Sequence, residues 1–195
     1  MLSTNKKYWI FVTTLFFSIP IYAADKPKSV EKQALNAHYL NAVEASKFKN
    51  EQGSKVLLLD IRTPSELVFV GSPTAMDMNI PLITLDYTQW DKTKSAYKKV
   101  LNQNFVADVT RYLTTKKLTK NSPIILLCRS GKRSAKAANL LSEAGYTNLF
   151  TVVDGFEGDK QKVGNNKGKR VVNGWKNSGL PWTYKLEREH FVLSH

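Results

Sequence analysis

The sequence predicts an α/β fold in which a parallel sheet carries helices on both faces. Three apolar runs, "KVLLLD" (Lys55 to Asp60), "PIILLC" (Pro123 to Cys128) and "NLFTVV" (Asn148 to Val153), each suit one strand covered on both sides. Between them, apolar residues recur at helical spacing. Strands that alternate with helices imply parallel pairing, because a parallel neighbour needs a long crossover that is usually helical.

The chain has 195 residues, enough for one domain with a sizeable core. Residues 1–23 read as a leader. Lys6 and Lys7 precede an apolar run from Tyr8 to Tyr22, and Ala23 and Ala24 follow. That order describes a secretory signal peptide. The run is shorter than the roughly 20 residues of a membrane span, and Pro20 interrupts it. The expected location is therefore periplasmic or secreted, membrane-anchored if the leader is kept, with no stable span after processing.

Residues 24–35 form a polar lead-in. Asn41 is placed to cap a helix running to about Asn50, with Ala42, Ala45 and Phe48 inward and Gly53 as its stop. After the first apolar run, Thr63-Pro64-Ser65-Glu66 has the shape of a capping box with proline at the first helical position. A loop, "VGSPTAMDMNIPL", leads to a short strand near Met78 to Ile80. The polar stretch Asp86 to Asn104, with Trp90 and Tyr97, reads as loop and irregular helix. Phe105, Val109, Tyr112 and Leu113 mark an amphipathic helix ending near Leu118. Ala137, Ala138, Leu141 and Ala144 line one face of a helix that Gly145 stops. Gly158 to Arg170 reads as a mobile basic loop. Residues 159–195 as a whole are a basic and aromatic extension whose Trp175 and Trp182 pack back on the domain.

The formal charge is +13, or +11 without Lys6 and Lys7. Such a balance suits small anions or an acidic partner. Nucleic acid is not expected, because an exported protein rarely meets it and no basic motif interleaved with aromatics is present. His38, His190 and His195 are scattered without ligand spacing, so neither a metal nor another cofactor is expected. The single cysteine, Cys128, cannot form an internal disulfide. In an oxidising compartment an unpaired thiol is a liability unless it is buried or used.

Cys128 falls at the carboxyl end of an apolar run, where open parallel sheets gather ligands, and the next helix begins within a few residues. Unpaired N–H groups and the positive end of the helix dipole collect there. Arg129, Lys132 and Arg133 add three cations, and Gly131 lets the loop curl so that successive N–H groups converge. Each feature favours thiolate over thiol. The plain alternative is a small buried residue that closes a strand.

These residues carry a family resemblance. "CRSGKRS", Cys128 to Ser134, resembles the active-site loop of the rhodanese (sulfurtransferase) family, and the continuation to Gly158 resembles that family too. "DIRTPSE", Asp60 to Glu66, is similar to its Asp-x-Arg-x-x-x-Glu motif, and "NIPL", Asn79 to Leu82, to its Asn-Ile-Pro motif. The resemblance covers residues 36–158. It implies a three-layer α/β/α fold around a central five-stranded parallel sheet, and sulfane-sulfur transfer through a persulfide on Cys128. Arg129, Ser130, Gly131, Lys132, Arg133 and Ser134 would bind the substrate, with Asp60 and Arg62 in support. Asp60 is expected to pair with the cationic loop, and Arg62 with Glu66. The partners implied are a small anionic sulfur donor and a thiol or sulfite-like acceptor, and a periplasmic protein partner is compatible.

Two departures bear on the substrate. Where the family often has Gly-His-Ile-Pro-Gly-Ala, this chain has "GSPTAMD". Where the family has Gly-Gly near a Trp, it has Asp154-Gly155-Phe156-Glu157-Gly158. Two other readings compete. One is a carrier or binding module that holds a sulfur or an anion for a partner without turnover. The other is a cysteine phosphatase, which needs five residues between Cys and Arg; here Arg133 follows after four and Ser134 takes the phosphatase Arg position.

Overall fold

The computed structural model describes residues 24–192; the leader expected at 1–23, and His195, lie outside them. The strands are β1 (His38–Leu40), β2 (Leu57–Asp60), β3 (Ser72–Pro73), β4 (Met78–Asn79), β5 (Ile83–Asp91), β6 (Ala96–Leu101), β7 (Ile124–Leu127), β8 (Leu149–Val152) and β9 (Trp182–Thr183). The α-helices are α1 (Ala42–Gln52), α2 (Pro64–Val70), α3 (Phe105–Thr115) and α4 (Lys132–Glu143).

Five strands form the central sheet in the order β1-β8-β7-β2-β4, every pair parallel. This is the expected five-stranded parallel sheet. Its two central strands are buried at every position, which is why their sequences show no polar alternation. The two-residue period of a strand still divides them. Leu57, Leu59, Ile124 and Leu126 face a cluster completed by Phe105, Val109 and Leu113 of α3 and Ala137, Ala138 and Leu141 of α4. Leu58, Ile125 and Leu127 face the other side, against Ala42, Ala45 and Phe48 of α1 and against Trp175. Helices therefore cover both faces.

Local chemistry starts the helices as the sequence predicts. Asn41 Oδ1 accepts from Glu44 N at 2.9 Å while Glu44 Oε2 accepts from Asn41 N at 2.8 Å. Thr63 and Glu66 form the same reciprocal pair at α2, with Pro64 as the first helical residue. Each box satisfies backbone donors that have no intrahelical acceptor.

Two stretches differ from expectation. Residues 86–104 are mostly an antiparallel hairpin of β5 and β6, not loop and irregular helix. Both faces of this ribbon are largely exposed, so it never shows the apolar alternation that marks a strand. Aromatic cross-strand packing supports it instead, with Tyr97 edge-on to Trp90 (centroids 5.3 Å apart) and to Tyr87 (5.1 Å). The second stretch is His38–Leu40, inside a region without a sequence-predicted strand. It is only three residues long and contributes one buried side chain, Leu40.

The chain after residue 158 folds back on the domain. Trp175 is fully buried and donates from Nε1 to Pro181 O at 3.0 Å. β9 pairs antiparallel with β3. The basic stretch read as mobile is tied across its base. Gln161 N donates to Lys169 O at 2.8 Å and Gly168 N to Gln161 O at 2.9 Å. Among the described residues no helix is long and apolar enough to cross a membrane.

Candidate active site

β7 delivers Cys128 to the carboxyl edge of the sheet, and α4 begins at Lys132. The four residues between must reverse direction, and Gly131 does so at φ +92°. A Cβ there would lie 2.2 Å from Val153 O, so the turn has room only for glycine. In this conformation the Gly131 N–H donates to Cys128 Sγ at 3.1 Å. The amides opening α4 lie just beyond, where a helix leaves its first N–H groups without partners.

Cys128 is 1 % exposed and contacts the core on the α3/α4 side. It is nonetheless not sealed in. It lines a pocket of about 360 Å³ walled by Arg129, Ser130, Lys132 and Arg133 of its own loop and by Ile83, Leu85 and Lys99 of the hairpin. The sulfur thus has an apolar back, an amide beside it and a cationic front.

A second loop holds the first in place. Phe156 N donates to Cys128 O at 2.8 Å and Glu157 N to Arg129 O at 3.0 Å. Gly155 has φ +66°, and a Cβ on it would come within 2.5 Å of both Cys128 O and Ser130 N. Backbone therefore packs directly on backbone. Asp154 anchors this brace by accepting from Ala42 N and Gly174 N, both at 2.9 Å. Burial raises the Asp154 carboxyl above its ordinary value, against those two hydrogen bonds.

The cations differ in how free they are. Arg133 is held by Glu66 through two hydrogen bonds of 2.6 and 2.7 Å. Burial alone would push the Glu66 carboxyl up, but the Arg133 hydrogen bond and charge, with the Thr63 amide, bring it down to about 2. Lys132 pairs with Glu31. Arg129 and Lys99 have no carboxylate partner among the described residues. Partial burial, then repulsion from Arg129 and Arg133, lowers Lys99.

Asp60 and Arg62 are brought together, but not to the loop cations. Arg62 Nη2 lies 2.6 Å from Asp60 Oδ2, both side chains are fully buried, and Arg62 Nη2 also donates to Gly71 O at 2.9 Å. The pairings expected from sequence, Asp60 with the cationic loop and Arg62 with Glu66, are replaced by Asp60–Arg62 and Glu66–Arg133. The reason is local: Glu66 is fixed at the start of α2, turned toward α4, while Arg62 turns inward. The Arg62 guanidinium lies 4.1 Å over the Phe156 ring, so this buried pair supports the brace behind Cys128. Ser134 is fully buried, and its Oγ has no partner among the described residues.

Sequence reasoning missed Glu66 and three hairpin residues as walls of the pocket. Glu66 is expected from sequence as a helix cap and a partner of Arg62, not as the partner of the loop cation Arg133. Ile83, Leu85 and Lys99 come from the hairpin, and nothing local in sequence signals that it folds over the cysteine.

Comparison with known proteins places this geometry. The family model described as the rhodanese-like domain matches residues 44–162. An uncharacterised protein of Rickettsia prowazekii is 34 % identical over 131 residues, which are 67 % of this chain and 85 % of that one. A protein of Tolumonas auensis named thiosulfate sulfurtransferase GlpE is 36 % identical over 44 residues, 23 % of this chain and 42 % of its own. Among solved structures, that of Rv0390 from M. tuberculosis superposes with a TM-score of 0.57 at 28 % identity, covering 77 % of this chain and 99 % of that one.

Proposed function

This chain belongs to the rhodanese-like domain family, and on that premise we propose that it moves a sulfane sulfur from an anionic donor such as thiosulfate to a nucleophilic acceptor through Cys128. One observation carries the reading: the Gly131 amide 3.1 Å from Cys128 Sγ, in a pocket fronted by Arg129, Lys132 and Arg133. The sulfurtransferase named among the relatives supports thiosulfate as the first donor to try.

The reaction has two halves. The Cys128 thiolate attacks the outer sulfur of thiosulfate, an S–S bond forms at Sγ, and the old S–S bond breaks as its electron pair leaves with sulfite. Three negative charges enter the step and three leave it. The outer sulfur of the resulting persulfide carries one of them, beside the Gly131 amide and the start of α4, where fixed N–H groups stabilise charge without reorganising. Arg129 and Lys99, free of carboxylate partners, draw the dianionic donor in. In the second half an acceptor, cyanide in an assay or a thiolate, attacks that outer sulfur and returns the Cys128 thiolate. The chain has one cysteine, so no internal thiol can discharge the persulfide. The sulfur must leave to a second molecule, which gives ping-pong kinetics.

The test is cyanide-dependent thiosulfate turnover, with mass spectrometry of protein treated with thiosulfate alone. One added sulfur on Cys128, absent from Cys128→Ser along with turnover, is expected. Turnover that survives Cys128→Ser sinks the proposal.

A further inference from the structure

A second, larger cleft opens from the far side of the catalytic loop. It has a volume of about 1060 Å³ and shares Ser130 and Lys132 with the cysteine pocket, so the two adjoin at these residues. Its remaining walls come from outside the cysteine loop: Lys28 and Lys32 from the lead-in, and Lys160, Lys162, Lys167 and Arg170 from the basic loop. Asp159 is the one carboxylate of the lining, and it is already held by Lys32 at 2.7 Å. Lys132 is likewise occupied by Glu31. Lys28, Lys160, Lys162 and Lys167 have no side-chain partner among the described residues.

These cations are set on a fixed wall. Asp159 N donates to Asn173 Oδ1 at 2.7 Å, Arg170 Nη1 donates to Gly158 O, and Lys160 and Arg170 face each other in an antiparallel bridge. Close packing locks the base of the loop: a Cβ on Gly158 would lie 1.8 Å from Asn173 O. Holding like charges close together in a folded loop raises its energy, and a bound polyanion removes that repulsion.

We propose that this cleft docks an acidic stretch of a protein acceptor and so brings that acceptor's thiol to the Cys128 persulfide. The inference rests on the sulfurtransfer reading for the chemistry at Cys128, and on the cleft for the identity of the partner. An occupant reaching Ser130 and Lys132 arrives at the mouth of the sulfur pocket, where the second half-reaction needs a nucleophile. Among extended polyanions, a polypeptide is the class that carries a thiol. Phosphate polymers fit the charge but supply no acceptor.

The full chain is loaded with thiosulfate, freed of excess, and mixed with a glutamate-rich peptide ending in cysteine or with its glutamine-rich counterpart. Loss of the added sulfur from Cys128 is followed by mass spectrometry. The glutamate peptide should react about tenfold faster at low salt, an advantage erased by high salt. It should also be erased in the triple variant Lys160→Glu/Lys162→Glu/Lys167→Glu, while discharge by cyanide stays unchanged. The milder triple Lys→Gln change of the same exposed residues repeats the test if the charge reversal impairs folding. Equal rates for the two peptides on the unaltered protein overturn the inference, as does an advantage that persists in the variants. Inorganic polyphosphate that binds without any difference between the peptides has the same meaning. Binding of the labelled glutamate peptide to Cys128→Ala protein, read by fluorescence anisotropy, needs no sulfur. Failure of Cys128 to load therefore strikes the sulfurtransfer reading, and absent or charge-independent peptide binding strikes this one.

Discussion

Replacing Glu66 with Gln should destabilise the protein in a way that depends on pH. The carboxyl falls from an ordinary 4.5 to about 2 because it is bonded twice to Arg133. At roughly 1.4 kcal/mol per pH unit, that difference corresponds to about 3 kcal/mol in favour of the folded state. The two side chains are 18 % and 22 % exposed, so water screens the pair and about 2 kcal/mol is the better expectation. A depressed carboxyl contributes its full share above the unfolded value and loses it as acid protonates the folded form. The contribution should thus be intact at pH 6–7 and fade between about 4.5 and 2. Glu66→Gln resembles the protonated side chain at every pH. Urea unfolding of both proteins should give a difference of about 2 kcal/mol near neutrality that shrinks toward zero at the acid end. Below that range both leave Arg133 without a carboxylate. A difference that stays constant from neutrality to pH 2.5 would refute the assignment of this charge to the Arg133 pair.

Other substitutions test the support behind the cysteine. Gly155→Ala, forced into φ +66° and against Cys128 O, should cost more than about 2 kcal/mol in thermal or urea unfolding and depress thiosulfate turnover; a neutral effect on both would mean the brace is not needed. Asp60→Asn leaves the fully buried Arg62 charge without its carboxylate and should destabilise by about 3 kcal/mol, checked by urea midpoint, whereas Asp86→Asn on the exposed hairpin should do little. Trp175→Ala should cost about 3–5 kcal/mol, because the indole is fully enclosed on the α1 side of the sheet; a melting temperature within a degree of the unaltered protein would contradict that placement.

Much of the fold was legible because its central strands and helix starts are written locally. A strand covered on both faces is an apolar run, as in Ile124–Leu127 and in Leu57–Asp60 up to its closing Asp60, and a capping box is a four-residue signal. The loop from Cys128 into α4 was legible for the same reason, since its glycine and cations follow one another in sequence. The hairpin of Ile83–Asp91 and Ala96–Leu101 was not, because a ribbon wet on both sides has no periodicity set by burial. Partner choice among charges was also hidden. Asp60, Arg62 and Glu66 lie within seven residues of chain, yet which of them meets Arg133 depends on how α2 sits against α4.

The burial of Trp175 also bears on the order in which the molecule can be completed. Synthesis runs from the amino end, so every strand of the central sheet has been made while one side of that sheet still lacks its largest aromatic plug. Shielding of that surface waits for the stretch that carries Trp175 to leave the ribosome, and β9 then latches onto β3. An expression fragment cut where the family match stops, at residue 162, removes this late-arriving piece and leaves a greasy hollow open to chaperones and proteases.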